Sequence, residues 1–130
     1  MSPARMAMYS KGVEIYLAPT ADNRESWFTA LKHIAVEGRC YVLGANQFVV
    51  KNHYPHSLQG EIMDENEVMS RGGSVIISPD GEPLAGPLFY EEGILTAEFD
   101  PGKVIRSRMD FDVIGILIFQ VRILVLPGSI

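Results

Sequence analysis

Cysteine is almost absent from this chain. Of 130 residues only Cys40 carries a thiol. One cysteine cannot close an internal disulfide, so disulfide-stapled folds are excluded and a reducing compartment, the cytoplasm, is the expected setting. Tryptophan is as scarce, with Trp27 alone. Long apolar runs are missing too. The longest, residues 116–126, is interrupted by Gln120 and Arg122 and reaches about half of the ~20 residues that a membrane-spanning helix needs. Residues 1–11 hold Arg5 and Lys11 but no apolar stretch of the kind found in a secretory leader. Positive charge is in short supply: 11 Lys and Arg against 16 Asp and Glu give a formal net charge of −5. Without a basic face there is no electrostatic footprint for nucleic acid. Neither nucleic acid nor a membrane is therefore an expected partner. There is no internal repeat and no low-complexity stretch.

What remains is an ordinary globular composition, 47% apolar and 21% charged. A chain of this length is one domain or part of one, and buries roughly two thirds of its unfolded surface.

The pattern alternates helix and strand signals. Residues 1–11 read as a helix with Gly12 as its stop, and Ala4, Ala7, Met8 and Lys11 share a face. Residues 13–18 alternate like a strand, and Pro19 should end the ladder because it has no N–H to donate. Trp27, Ala30, Leu31, Ile34 and Ala35 then fall at helical spacing as one apolar stripe. Asp22 and Glu25 resemble a capping box for that helix, with Gly38 as its stop. Residues 41–50 are nearly all apolar and read as a buried strand. Residues 51–73 form a polar interlude, expected as a long surface loop with at most a short helix. Strands are expected at 74–78, 82–85 and 93–99, the first two joined by a Pro79-Asp80-Gly81 turn. Asp100-Pro101 should cap and open a last helix running to about Met109. The order indicates an α/β layered fold whose first part is a βαβ-like crossover.

Four blocks resemble one family. They are Ala4-Arg5-Met6-Ala7-Met8-Tyr9-Ser10-Lys11-Gly12-Val13-Glu14-Ile15-Tyr16 with Ala18-Pro19-Thr20-Ala21-Asp22; His33-Ile34-Ala35-Val36-Glu37-Gly38-Arg39-Cys40-Tyr41-Val42-Leu43; Gly72-Gly73-Ser74-Val75-Ile76-Ile77-Ser78-Pro79 with Leu84-Ala85-Gly86-Pro87; and Asp110-Phe111-Asp112-Val113-Ile114-Gly115. In order and spacing these resemble the C-terminal half of nitrilases, members of the carbon–nitrogen hydrolase superfamily. The resemblance implies an αββα sandwich of which this chain carries about half, and dimers that stack helices. It implies hydrolysis of a nitrile to a carboxylic acid and ammonia by a Glu, Lys and Cys group, with no cofactor. The family's cysteine stands in a Cys-Trp-Glu-Asn motif, which these 130 residues do not contain. By the alignment it would lie just upstream of Met1, with Glu and Lys further upstream, so no catalytic residue carries over.

That absence matters chemically. A nitrile carbon is a weak electrophile, and the family attacks it with an activated thiolate. A carboxylate moves protons and an ammonium stabilises developing charge. Cys40 is no substitute: it reads as a small buried apolar residue at the entrance to a strand.

The remaining candidates are supporting ones. Pro19 and Thr20 end a strand where α/β ligand sites gather, and are candidates for the edge of the substrate pocket. Glu37 lies near a helix C-terminus, where a carboxylate needs a partner, and is expected to support the site structurally. Asn46 in a buried strand should be hydrogen-bonded and structural as well. Trp27 and His33 are expected in packing or at an interface. His53 and His56 with Asp64 are too loosely spaced for a zinc site, so no metal is expected.

After Gly115 the resemblance ends, and residues 116–130 are an apolar, β-branched tail of aggregation-prone character. The expected organisation is therefore residues 1–115 as the C-terminal half of a carbon–nitrogen hydrolase domain and 116–130 as an atypical tail. The chain is expected to be inactive alone and to form homo-oligomers through the helices at 1–11 and 25–37. The alternatives are a non-catalytic assembly partner of a full-length nitrilase, or a piece of an amidase of the same superfamily.

Overall fold

The computed structural model describes residues 2–58 and 67–110. Asp64, Glu65, most of the fourth resemblance block and the 116–130 tail lie outside the described residues.

The first helix, α1 (Pro3–Tyr9), is shorter than the sequence pattern suggests. Ser10, Lys11 and Gly12 continue as a turn, with Gly12 N–H donating to the Tyr9 carbonyl and Gly12 at φ +75°. The strand β1 (Ile15–Thr20) follows, then α2 (Glu25–Gly38) and β2 (Tyr41–Asn46). β1 and β2 pair in parallel from Ile15↔Tyr41 to Thr20↔Asn46, which makes the expected βαβ crossover. Pro19 does not end the ladder: it lies inside β1, opposite Ala45. Among the described residues β1 is a sheet edge, where a missing N–H is tolerated.

The capping box is not formed. α2 starts at Glu25 with Arg24 as N-cap and no side-chain cap. Asp22 is used two residues earlier, accepting from the backbone N–H and the Nε of Arg24 at 3.0 and 2.9 Å. Gly38 is not the left-handed stop either. Arg39 takes that role at φ 47°, and Gly38 is the last helical residue.

The expected 41–50 strand is split into β2 and β3 (Phe48–Val50). Both pair antiparallel to one long strand, β4 (Val68–Ile77), on one register from Val42↔Ile77 to Val49↔Ser70, which shifts at Val50↔Val68. β4 is twice as long as its sequence signal, extending back into the polar interlude because β3 supplies the ladder for Val68 to Arg71. Short 3-10 turns at Lys51–His53 and His56–Leu58 fill part of that interlude. Gly72 and Gly73 lie within β4 rather than before it, at φ +83° and +124°. Beyond the turn at residues 79–81, β5 (Pro83–Phe89) returns antiparallel to β4. The expected strand at 93–99 is not formed; that segment makes no ladder among the described residues. The last helix, α3 (Pro101–Asp110), does open on Asp100, whose Oδ1 accepts from Gly102 N–H at 2.9 Å.

The core lies between the helices and one face of the sheet. Leu31, Ile34 and Ala35 of α2 pack with Tyr9, Ala18, Val42, Val75 and Ile77. The side chains in between turn away from that layer. Leu17 is 69% exposed, and with Pro19, Leu43, Ala45 and Ile76 it lines an apolar groove of about 400 Å³ on the opposite face.

Candidate functional site

Parallel β1 and β2 both end at one place. Their carboxyl ends, Thr20 and Asn46, are opposite each other in register. A shallow cleft of about 370 Å³ opens there, lined by Pro19, Thr20, Ala45, Asn46, Gln47 and Ser74. The structure thus brings three of the four sequence candidates, Pro19, Thr20 and Asn46, to one rim. The fourth, Glu37, does not border it.

The rim is held by short polar contacts. Thr20 Oγ1 accepts from Asp22 N–H at 3.0 Å, turning the chain out of β1. Asn46 Nδ2 donates to the Asp22 carbonyl at 2.7 Å. The side-chain bond from Arg24, reinforced by its backbone N–H, holds the Asp22 carboxyl at about 2. Ser74, which no sequence signal singled out, acts at the break between β2 and β3. Its Oγ accepts from Asn46 N–H at 2.9 Å and donates to the Asn46 carbonyl at 3.0 Å, replacing a ladder rung. Asn46 is hydrogen-bonded as expected through Nδ2 and its backbone, while its buried Oδ1 has no hydrogen-bond partner among the described residues.

Asn46 and Ser74 also border a second cleft of about 490 Å³, with Tyr54, Glu91 and Glu92 among its walls. His53 lies there too, its Nδ1 accepting from Val50 N–H at 3.4 Å. No group of His, Cys, Asp and Glu suited to a metal occurs among the described residues.

Glu37 sits on the helical layer. Its Oε1 accepts from Arg5 Nε and Tyr9 OH, each at 3.1 Å, and its Oε2 faces His33 Nε2 at 3.1 Å. Burial pushes the Glu37 carboxyl up. The bonds from Arg5 and Tyr9 and the charges of Arg5 and His33 outweigh it and hold the group below its ordinary value. Burial, then the bond to Glu37, pushes the Tyr9 hydroxyl well above its ordinary range. The Arg5 and Tyr9 partnership was missed in the sequence, though their i, i+4 spacing puts both on one face of α1.

Cys40 is fully buried, and burial raises its thiol to about 11, with Arg108 pulling weakly the other way. It precedes the amino end of β2, whereas the cleft lies at the carboxyl end. Six strand steps put it roughly 20 Å from Asn46. The cleft therefore has polar groups that can orient a ligand but no thiolate within reach.

A model described as carbon-nitrogen hydrolase matches residues 1–109. The chain belongs to the carbon-nitrogen hydrolase family. It is 47% identical over 112 residues to an aliphatic nitrilase of Sinorhizobium fredii, covering 85% of this chain and 36% of that protein. It is 50% identical over 117 residues to a bifunctional nitrilase/nitrile hydratase of Lupinus angustifolius, covering 85% of this chain and 34% of that protein. The chain thus spans about a third of the length of the curated relatives it matches. Among solved structures it resembles a carbon-nitrogen hydrolase from Helicobacter pylori, with a TM-score of 0.64 at 21% identity over 83% of this chain and 39% of that one. Nit3 of Saccharomyces cerevisiae, a nitrilase-superfamily member, gives 0.61 at 23% identity over 84% of this chain and 36% of that one. The fold is accordingly part of the nitrilase-superfamily sandwich. No helix among the described residues is long and apolar enough to cross a membrane.

Proposed function

We propose that residues 1–115 contribute the C-terminal portion of a nitrilase-type hydrolase, which converts a nitrile to a carboxylic acid and ammonia in the complete protein. The observation that carries this reading is the 47–50% identity to proteins named as nitrilases. In this reading Pro19 and Thr20 border the nitrile pocket, Asn46 fixes the turn between them and α2, and Glu37 supports the layer behind. The nucleophile comes from elsewhere in the complete protein. The 130-residue chain alone is inactive, because its one thiol is buried, protonated and far from the cleft. No cofactor is needed, since thiolate attack, proton transfer and hydrolysis are all side-chain chemistry. The setting is the cytosol, and subunits associate through α1 and α2.

A chimera tests the proposal. Residues 1–110 would replace the matching third of the S. fredii aliphatic nitrilase, and ammonia release from an aliphatic nitrile would be followed. Retained hydrolysis is expected, with none from the 130-residue chain by itself. A folded chimera that hydrolyses an amide but no nitrile would move the reading to an amidase. Turnover by the isolated chain would overturn the inactive-alone reading.

A further inference from the structure

We propose that Arg71 is a positioning residue of the rim: its guanidinium, stacked on Phe89, holds the turn between β1 and α2 and so fixes where Pro19 and Thr20 stand. The consequence for substrate rests on the reading above, in which that rim borders the nitrile pocket.

The turn is residues 21–24, between the end of β1 at Thr20 and the start of α2 at Glu25. It joins no ladder among the described residues, so its carbonyls must find donors elsewhere. Two successive carbonyls find them on the sheet. Asn46 Nδ2 of β2 donates to the Asp22 carbonyl at 2.7 Å, and Arg71 Nε of β4 donates to the Asn23 carbonyl at 2.8 Å. The Arg71 bond spans 48 positions of sequence. A longer bond, 3.4 Å from Asn23 Nδ2 to Ser70 Oγ, ties the same turn to the residue before Arg71.

The guanidinium suits this task. Arg71 Cζ lies 4.2 Å from the centre of the Phe89 ring. A planar cation on an aromatic face keeps its N–H edge free to donate sideways, and the charge strengthens that bond. The other side-chain contact is weak: Nη2 is 3.7 Å from Glu25 Oε2, whose side chain is 73% exposed. The backbone of Arg71 serves the opposite wall. Its carbonyl accepts from Tyr90 N–H at 2.7 Å, just before Glu91 and Glu92 of the larger cleft. One residue of β4 thus fastens a segment on each side of the rim.

Arg71→Met separates the two attachments. The thioether keeps an apolar stem on Phe89 and the backbone bond to Tyr90, but it donates nothing. Amide exchange would be followed by NMR in the full 130-residue chain. The Asp22 and Arg24 amides, which bond within the turn, should exchange about tenfold faster in Arg71→Met, while those of Ile34 to Gly38 in α2 stay unchanged. Glu25→Ala should alter neither set. Equal acceleration in the turn and in α2, or none in the turn, would overturn the proposal. In the nitrilase chimera, Arg71→Met should raise KM for the nitrile about tenfold with kcat nearly unchanged, because a displaced rim loses binding and not chemistry. An unchanged KM, or a loss confined to kcat, would also overturn it. A parent chimera that hydrolyses no nitrile would refute the nitrilase reading instead, and the exchange rates would still decide whether Arg71 holds the turn.

Discussion

Arg5 Nε donates to Glu37 Oε1 at 3.1 Å, joining residues 32 positions apart and fastening α1 onto α2. The carboxylate is 7% exposed and the guanidinium 28%. Removing one partner therefore strands the other in a partly dry place. Tyr9 OH loses its acceptor in the same step. Glu37→Ala is expected to lower stability by about 2–4 kcal/mol, read from the urea midpoint. The pair Arg71–Glu25 offers a contrast, at 3.7 Å with the glutamate 73% exposed. Glu25→Ala should change stability by less than about 1 kcal/mol. Equal losses in the two variants would refute the weight placed on burial.

Acid should find the same contact. The folded pKa of Glu37 is depressed, while an unfolded glutamate titrates near 4.3. A depressed carboxyl contributes stability that is complete above the unfolded value and disappears as pH falls through the folded one. Thermal midpoints should therefore decline below about pH 4.3, and Glu37→Gln should make that decline shallower. Tyr9 works at the other end. Its raised pKa means that the folded state keeps the proton, so stability is complete below the unfolded value near 10 and falls as pH rises above it. An acid limb of the same slope in Glu37→Gln would show that other carboxylates, such as Asp80 and Asp100, dominate it.

The helical layer was the legible part of the fold. Trp27, Leu31 and Ile34 repeat at 3.6-residue spacing, and that period depends on no distant partner. What failed to show was decided by such partners. The Asp22 carboxylate has the residue type of an N-cap, but Arg24 engages it first. Val68 to Arg71 lack a strand signature and are extended because Phe48 to Val50 pair with them. Residues 93–99 have strand composition and no ladder among the described residues. At the site, the carboxyl-end position of Pro19 and Thr20 was readable from strand order. The Ser74 bridge was not, because a serine inside an apolar run carries no sign of what it bonds.

Gly38 sets two local effects against each other. An alanine in a helix is worth about 1 kcal/mol more than a glycine, so Gly38→Ala should stabilise α2 if nothing stood in the way. A Cβ there would come within 2.9 Å of Tyr9 Cδ1 and Cζ. The Tyr9 ring has little room to yield, since its hydroxyl is bonded to Glu37 and it packs in the core. Overpacking of this kind costs about 1–3 kcal/mol. Net destabilisation is expected from denaturant melts. In a Tyr9→Ala background the same change should become neutral or stabilising. A stabilising effect with Tyr9 present would mean that α1 slides freely over α2.

Cys40 gives the most direct check on whether this chain holds a usable nucleophile. A thiol acts through its thiolate, so reactivity follows the ionised fraction and access. Here both are unfavourable: the side chain is fully buried and burial raises the thiol to about 11. Iodoacetamide at pH 8 should leave Cys40 unmodified in the native chain and label it fully in urea, as read from intact mass. The sign is the reverse of that for a catalytic cysteine, whose pKa is depressed and whose labelling is faster than that of a free thiol. Cys40→Ala removes one sulfur from a packed site. It should cost about 1 kcal/mol of stability for the lost volume, and leave the activity of the nitrilase chimera unchanged. Rapid native labelling, or a chimera that dies with this substitution while remaining folded, would place Cys40 in the chemistry and remove the reason for seeking the nucleophile elsewhere in the complete protein.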